Sequence, residues 1–461
     1  MKNYFFLFIS MLFVGCATSP KLQTMMPNKT ASEPLKYEYS TSFLSLPINI
    51  KLKDVENQIN KNLNGLIYED NLIEDDNITA QVYKTNNITI KQKSDFLEIV
   101  LPLKIHTTYR YGTEKLGIKL YDSKTFDLNA NIVLHSRINL SNWKLKSETK
   151  IEDILWNESP SMVVLGKKMP ITYLINPMLK LFRSKIEKTI NEKMNETLDF
   201  KPHVLDALDQ ISKPTLTDET YQTWFRLTPL ELYTKDAVLA NQTIDIEMGL
   251  KCTMETLIGQ EPKQKFAKND LLLKPIKSIP NKILANIVVV STYGEAAKII
   301  QKNFVGQTFG EGNNKVTVNQ VDLWHNGGKV VIALNVTGKV NGNIYLKGIP
   351  KYRKEDTTIY FDEMDFVLDT KNILHKSAAW LLSGKILKMI KEKSQYSIAP
   401  NINEGKTTLL KYLNNYSPLK GVFVNGQLAN LAFDNIQINE QGFIAFLNAE
   451  GQLKIAVDGL E

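Results

Sequence analysis

The sequence predicts an α+β protein built from two similar modules, each combining an antiparallel sheet with one short and one long amphipathic helix. Three observations predict it. Apolar residues alternate with other residues over long stretches, which is typical of strands that bury one face. Elsewhere apolar residues recur three to four positions apart, which is typical of helices. Both patterns occur in the same order in the two halves of the 461-residue chain.

The first element is a secretory signal. Lys2 precedes an apolar run at 4–14, and Gly15-Cys16 follows directly. The run has the form of a signal peptide and is too short to span a bilayer, which takes roughly 20 apolar residues. Its ending resembles a bacterial lipobox, in which the peptidase cuts before a cysteine that carries acyl chains. Residues 1–16 are therefore predicted to be signal and lipobox, with Cys16 as the lipid anchor; an ordinary signal peptide is the alternative.

The segment after the anchor is predicted to be a flexible tether. Residues 17–39 are rich in Ser, Thr, Pro, Lys and Asn and lack apolar periodicity, as expected for a linker. No aspartate near its start resembles an inner-membrane retention signal. The sequence thus predicts a protein of the bacterial cell envelope, anchored in the outer membrane with its body in the periplasm.

The two modules are predicted over 40–259 and 270–461, with a polar, proline-containing boundary near 260–264. Each begins with a strand that leads into a short helix. When the two are aligned, Ile59 falls on Ile300 and Leu63 on Phe304. An acidic residue in the first turn of both helices favours the helix start.

Each module continues with alternating strands and then a longer helix. The first long helix is predicted at 173–198 and the second at 373–391, and strands at 225–258 and 421–457 close the modules. The apolar faces of the long helices include the following residues: Phe182, Ile186 and Ile190 in the first, and Leu382 and Ile386 in the second.

Composition and motifs exclude several functions. The formal charge of +7 is spread over the chain without a basic cluster, so no nucleic-acid partner is expected. The sequence contains none of the common nucleophile, zinc-protease or phosphate-loop signatures, and its histidines lack metal-ligand spacing. We therefore expect neither an enzyme nor a cofactor or metal. Cys252 lies in an apolar strand and is expected to be buried.

Three short segments carry a family resemblance: Leu46–Ile50, Ile59–Leu63 and Leu66–Asp70. With the lipobox and the two-module plan, they make the chain resemble the bacterial lipoproteins of the domain-of-unknown-function 4403 family. The plan is also similar to that of tubular lipid-binding (TULIP) proteins such as bactericidal permeability-increasing protein. The resemblance implies a curved antiparallel sheet wrapped around each long helix, and it implies lipid binding.

The predicted function is binding of a lipid or another hydrophobic ligand in an apolar groove, as carrier, chaperone or sensor. The predicted groove-lining residues are Ile59, Leu63, Phe182, Ile186, Ile190, Ile300, Phe304, Leu382 and Ile386. A non-enzymatic assembly factor with solid modules, binding another envelope protein or a glycan, is the alternative. Periodicity cannot separate the two, because a groove and a packed core need the same apolar faces. The sequence identifies no protein partner.

Overall fold

Antiparallel strands dominate the fold of the computed structural model, which describes residues 25–30, 37–38, 40–116, 118–141, 143–164, 167–171, 183–192, 194–195, 201–367 and 384–458. The strands are β1 Thr41–Lys51, β2 Gly65–Asp70, β3 Ile78–Lys84, β4 Thr89–Lys93, β5 Phe96–Lys115, β6 Ile118–Ser141, β7 Lys144–Trp156, β8 Ser161–Val164, β9 Lys167–Pro170, β10 Thr215–Asp218, β11 Thr223–Thr234, β12 Val238–Ala240, β13 Thr243–Ile258, β14 Leu273–Pro275, β15 Ile283–Thr292, β16 Thr308–Glu311, β17 Asn314–Asn326, β18 Lys329–Gly338, β19 Gly342–Arg353, β20 Thr358–Phe366, β21 Tyr396–Ser397, β22 Tyr416–Leu419, β23 Val422–Ile438 and β24 Gly442–Val457. The helices are α1 Leu52–Asn62, α2 Ile73–Asp76, α3 at 183–192, α4 Lys201–Ile211, α5 Tyr293–Phe304, α6 Lys385–Lys393 and α7 Ala399–Leu413. The predicted α+β class is confirmed.

A ten-stranded central sheet joins the two halves of the chain. Its order is β10-β11-β13-β1-β15-β24-β23-β22, with β12 on β13 and β14 on β11. β1 is antiparallel to β13 along its whole length and parallel to β24 at Ile48–Ile50. β13 also pairs with β15 in parallel. Strand pairing therefore crosses the predicted boundary at 260–264, and the halves share one sheet.

Two six-stranded sheets lie beyond the central sheet, one from each half. The first has the order β2-β3-β5-β6-β7 with β4 on β5, and the second has the order β16-β17-β18-β19-β20-β21. Each half runs from a central-sheet strand through a helix, α1 or α5, into its own sheet and back to the central sheet. This element order is the one that the duplication hypothesis requires. The duplication itself stays a prediction.

Local sequence explains the two short helices. α1 buries Leu52, Val55 and Ile59 on one face. α5 begins with a capped turn, in which the Glu295 N–H donates to the Thr292 side chain at 3.2 Å. Such a cap satisfies one of the free amide groups of the first turn.

The predicted long helices are described only in part. α3 covers 183–192 and α6 covers Lys385–Lys393, while the predicted stretches at 173–182 and 373–383 lie outside the described residues. α4 and α7 were not predicted; α4 buries only Leu208, and α7 has no buried residue. Over the described part of the chain, no helix is both long enough and apolar enough to cross a membrane.

Part of the predicted tether contacts the folded body. The Thr30 amide donates to the His325 carbonyl at 3.3 Å, and the Asn326 side chain donates to the Asn28 carbonyl at 2.8 Å. The Lys29 ammonium lies 5.2 Å from the centre of the Trp324 ring. The structure therefore fixes 25–30 on the β17–β18 hairpin. This contact could not be predicted from the sequence, because hydrogen bonds to a distant turn leave no periodicity.

A buried ion pair lies in the central sheet. Arg226 of β11 and Glu255 of β13 are direct cross-strand partners. Arg226 donates to one Glu255 oxygen through Nε at 2.9 Å and Nη2 at 2.7 Å, and the Tyr37 hydroxyl donates to the other oxygen. Arg226 Nη1 also donates to the Lys263 carbonyl at 2.8 Å. The pair thus connects two strands, the predicted boundary and the N-terminal segment.

Candidate functional site

A small apolar cavity lies inside the first half of the molecule, where α1, α3 and the first six-stranded sheet meet. Its volume is about 10 Å³, close to the minimum for a single water molecule. The lining residues are Ile59, Leu63, Ile88, Ile99, Leu101, Leu134, Ile190 and Met194. Because every lining side chain is apolar, a water there would find no hydrogen-bonding side chain, and such cavities stay dry.

α1 is attached to the sheet through the free edge of β4. The Asn60 side chain accepts from the Ile88 amide at 2.7 Å and donates to the Ile88 carbonyl at 2.9 Å. One turn earlier, Glu56 accepts from the Ile90 amide at 2.9 Å. The polar groups of an edge strand are thereby satisfied by a helix instead of a neighbouring strand.

α3 is attached in the same way to the free edge of β7. The Ile151 amide donates to Glu187 at 2.7 Å, and the Thr149 amide donates to Asn191 at 2.9 Å. The Ser147 amide donates at 2.9 Å to Asn195, which is also helical and lies just beyond 183–192. Three side chains on one face of the helix thus accept from every second amide of the strand. We call these contacts and their α1 counterparts the edge ladders.

Helix and strand geometry explain why the edge ladders fit. Four helical residues rise about 6 Å, and two strand residues advance about 6.7 Å. The two spacings are nearly equal. Polar residues at every fourth helical position therefore lie opposite every second strand amide, and the match holds for two or three contacts. Both helices meet this need with the same pattern, E-x-x-I-N, at 56–60 and at 187–191. In each the isoleucine lines the cavity.

The opposite edge of the first sheet, β2, holds α3 by a different contact. Lys185 donates to Asp70 at 2.7 Å, and its ammonium lies 5.5 Å from the centre of the Tyr68 ring. This hydrogen bond, with that from the Leu72 amide, lowers the pKa of the Asp70 carboxyl despite partial burial. The same contact with Asp70 raises the pKa of Lys185. α3 therefore contacts both edge strands of the first sheet, β7 and β2.

The structure brings several predicted groove residues together. Ile59, Leu63 and Ile190 line the cavity, and Ile186 is buried in the same core cluster. In the second half Ile386 is buried, and Ile300 and Phe304 are half-buried against its cluster. The other predicted site residues lie outside the described residues: Cys16, Phe182 and Leu382. Within the described ranges, no group of three His, Cys, Asp or Glu residues is placed to hold a metal ion.

The comparisons with known proteins decide the family. The model of the domain of unknown function DUF4403 matches residues 40–457. The chain belongs to the DUF4403 family. No curated protein matches the sequence.

One solved structure aligned with this DUF4403 chain is a crystal structure of lipopolysaccharide binding protein. The alignment covers 91% of this chain and 99% of that one, at 11% identity and a TM-score of 0.27. At that score the similarity establishes neither a shared fold nor a shared ligand.

The polar residues of the edge ladders were missed by the sequence analysis. Glu and Asn on a helix normally indicate a solvated face, so they were not assigned a role. The signal that identifies them in this DUF4403 chain is the repeated E-x-x-I-N pattern. In it the Glu and the Asn are one helical turn apart, and the Ile directly precedes the Asn.

We expect Asn191→Ala to lower the free energy of unfolding by about 1–3 kcal/mol, because it leaves the buried Thr149 amide without its acceptor. Urea denaturation of the wild type and the variant measures the difference. Asn191→Asp keeps an acceptor oxygen and should lose less. Lys188→Ala, on the exposed side of α3, should leave the midpoint unchanged. Equal midpoints for the alanine variants at 188 and 191 would show that the edge ladder contributes nothing.

Proposed function

We propose that this chain is a lipid-anchored envelope protein that binds a lipid or another hydrophobic ligand between α1, α3 and the first six-stranded sheet. The observation that supports the proposal is that polar and apolar side chains of both helices contact different parts of the sheet. Their polar side chains are directed to strand edges, and their isoleucines face an apolar cavity. An apolar lining without polar groups suits a hydrocarbon chain.

In the part of the chain that the structure describes, the space between α1, α3 and the sheet is too small for a ligand, so a ligand has to move a helix. A cavity of about 10 Å³ is far below the roughly 300–1,000 Å³ of ligand sites. α3 is held to β7 by three hydrogen bonds from backbone amides and to β2 by the Lys185 contacts. We therefore place the opening on the β2 side. Lys185 is half-exposed and its partner Asp70 is largely buried, so this ion pair has to break for α3 to swing away, while the edge ladder acts as a hinge.

The proposal extends to the second half. The recurring element order supports two TULIP-like modules, 40–259 and 270–461, that share the central sheet. In the second, the corresponding binding surface includes Ile300, Phe304 and Ile386. With no catalytic signature in the sequence, we propose a non-enzymatic binding protein.

We propose that acylated Cys16 anchors the protein in the outer membrane, with the body in the periplasm. The nine residue steps from Cys16 to Met25 reach about 30 Å at full extension. Because residues 25–30 contact the β17–β18 hairpin, this reach would keep the hairpin near the membrane.

Labelled palmitate should be incorporated by the wild type and not by Cys16→Ser. Equal labelling would refute the anchor and leave the interior site untouched.

A second candidate is supported by the small size of the cavity. A closely packed interior suits an assembly factor that acts through its surface and binds another envelope protein. This function needs no interior ligand, so the two candidates differ in what should co-purify with the protein.

Mass spectrometry of lipids extracted from purified residues 17–461 tests the ligand proposal. We expect a bound hydrophobic molecule in the wild type and its loss in Ile190→Trp, because the indole would occupy the cavity. Lys188→Trp places the same side chain on the exposed side of α3 and should retain the ligand. A wild type without any bound lipid, or a ligand retained equally by both variants, favours the assembly factor.

A further inference from the structure

The long β5–β6 hairpin extends past the rest of the first sheet. β3 flanks β5 only as far as Tyr109, and β7 flanks β6 only from Ala130 onward. Next along β5, the Arg110 side chain donates a hydrogen bond to the Asn77 side chain at 2.9 Å. In the described chain, the hairpin beyond it pairs only with itself. Two-stranded hairpins without further support are marginally stable in water.

The end of this hairpin is apolar and exposed. Leu116 is 102% exposed, Ile118 63% and Leu120 62%. Tyr111 and Tyr121 are also exposed and lie further from the turn. We call these five residues the hairpin tip. Single exposed apolar residues are ordinary, but a cluster at one projecting point marks an interaction site.

The backbone conformation of Leu116 is an independent reason to regard the hairpin tip as an interaction site. Its φ is +51°, in the left-handed region, which glycine and asparagine adopt readily and leucine rarely does. Leucine at this position thus adds both backbone strain and apolar exposure, and the folded protein gains no contact in return. Strained residues of this kind cluster at functional sites.

We propose that the hairpin tip inserts into the surface of a lipid bilayer carrying anionic headgroups. The arrangement of the tip suits a bilayer. Ile118 and Leu120 are about 7 Å apart along one face of the strand, which matches the roughly 5–10 Å depth that apolar side chains reach at an interface. Tyr111 and Tyr121 would then lie at headgroup level, where tyrosine is favoured.

Charge and size favour a bilayer over a protein partner. Residues 110–124 include four basic and two acidic residues, a surplus that attracts anionic lipid. A stable protein interface takes about 20–30 residues a side, many more than the five at the tip. Insertion of a few side chains needs no such area. This contact is separate from both the Cys16 anchor and the interior site.

Vesicle flotation of residues 17–461, which contain every described element and lack the anchor, tests the proposal. The probe is a vesicle of phosphatidylglycerol and phosphatidylethanolamine in a 1:3 ratio. We expect the wild type to float with vesicles, and Leu116→Asp/Ile118→Asp to bind about tenfold more weakly, because the change removes apolar insertion and adds charge that anionic headgroups repel. Leu272→Asp, at a leucine elsewhere that is as exposed as Ile118, should bind like the wild type.

Three outcomes overturn the proposal: a wild type that does not float, a tip variant that floats as well as the wild type, and equal losses in the tip and Leu272 variants. Sedimentation of the same samples without vesicles identifies a second copy of the chain as the partner if the wild type self-associates and the tip variant does not. Melting temperatures equal to that of the wild type verify that the tip and Leu272 variants are folded. Interior lipid, measured on the same variants, should be unaffected, so failure here is distinct from failure of the proposed function.

Discussion

Arg226→Met should lower the free energy of unfolding by about 3–5 kcal/mol, the typical cost of leaving one charge of a buried pair without its partner. The Glu255 side chain is 0% exposed and receives two of its hydrogen bonds from this guanidinium. Lys265 lies 3.8 Å from the same oxygen, in ion-pair range, and its half-exposed ammonium would offset only part of the loss. Urea denaturation at neutral pH measures the loss.

The exposed pair of Arg353 and Asp356 supplies the matched control. It has the same chemistry, with Nη2 2.6 Å from the carboxylate, but both side chains are substantially exposed. Arg353→Met should leave the unfolding midpoint unchanged, since exposed pairs contribute little. Adding Glu255→Leu to Arg226→Met should recover much of the stability, because the unpaired charge is gone. A single Arg226 variant as stable as the wild type would contradict the prediction.

The second large effect is expected at the cavity. Ile190→Ala should lower the free energy of unfolding by about 2–5 kcal/mol, through lost apolar burial and an enlarged cavity. Ile190 is 4% exposed and lies beside Met194 and Leu101 in the lining. Denaturant unfolding measures the loss.

The same variant also tests whether the interior can accept a hydrocarbon. Apolar cavities made by truncation take up small apolar molecules, so benzene should restore part of the stability of Ile190→Ala and leave that of Lys188→Ala unchanged. If alanine at 190 is tolerated as well as alanine at 188, α3 does not pack on the cavity as described.

Sequence patterns predicted those parts of the fold that depend on local burial. Alternation in β5 and β6 identified both strands, because Leu97, Ile99 and Leu101 face one continuous core. α1 and α5 were identified for the same reason, since each buries one side. Predictions of this kind need only the residues of the element itself.

The remaining features depend on contacts between distant residues. The shared sheet requires β1 to pair with β24, and no local pattern encodes that choice. α7 escaped prediction because none of its residues is buried. At the candidate site, the apolar positions Ile59 and Ile190 could be chosen from periodicity, but Asn191 could not, because its partner is a backbone amide of a remote strand.

The pairing of β1 with β24 has a consequence for synthesis of the chain. β1 can pair with β13 once Thr253 has been made, but Ile48–Ile50 must wait for their partners at 455–457. At about 5–20 residues per second, this interval lasts roughly 10–40 s. Throughout it, unpaired amides and carbonyls of β1 could join to the same strand of another nascent molecule. We therefore expect ribosome-bound chains that stop short of residue 442 to aggregate unless a chaperone covers that edge.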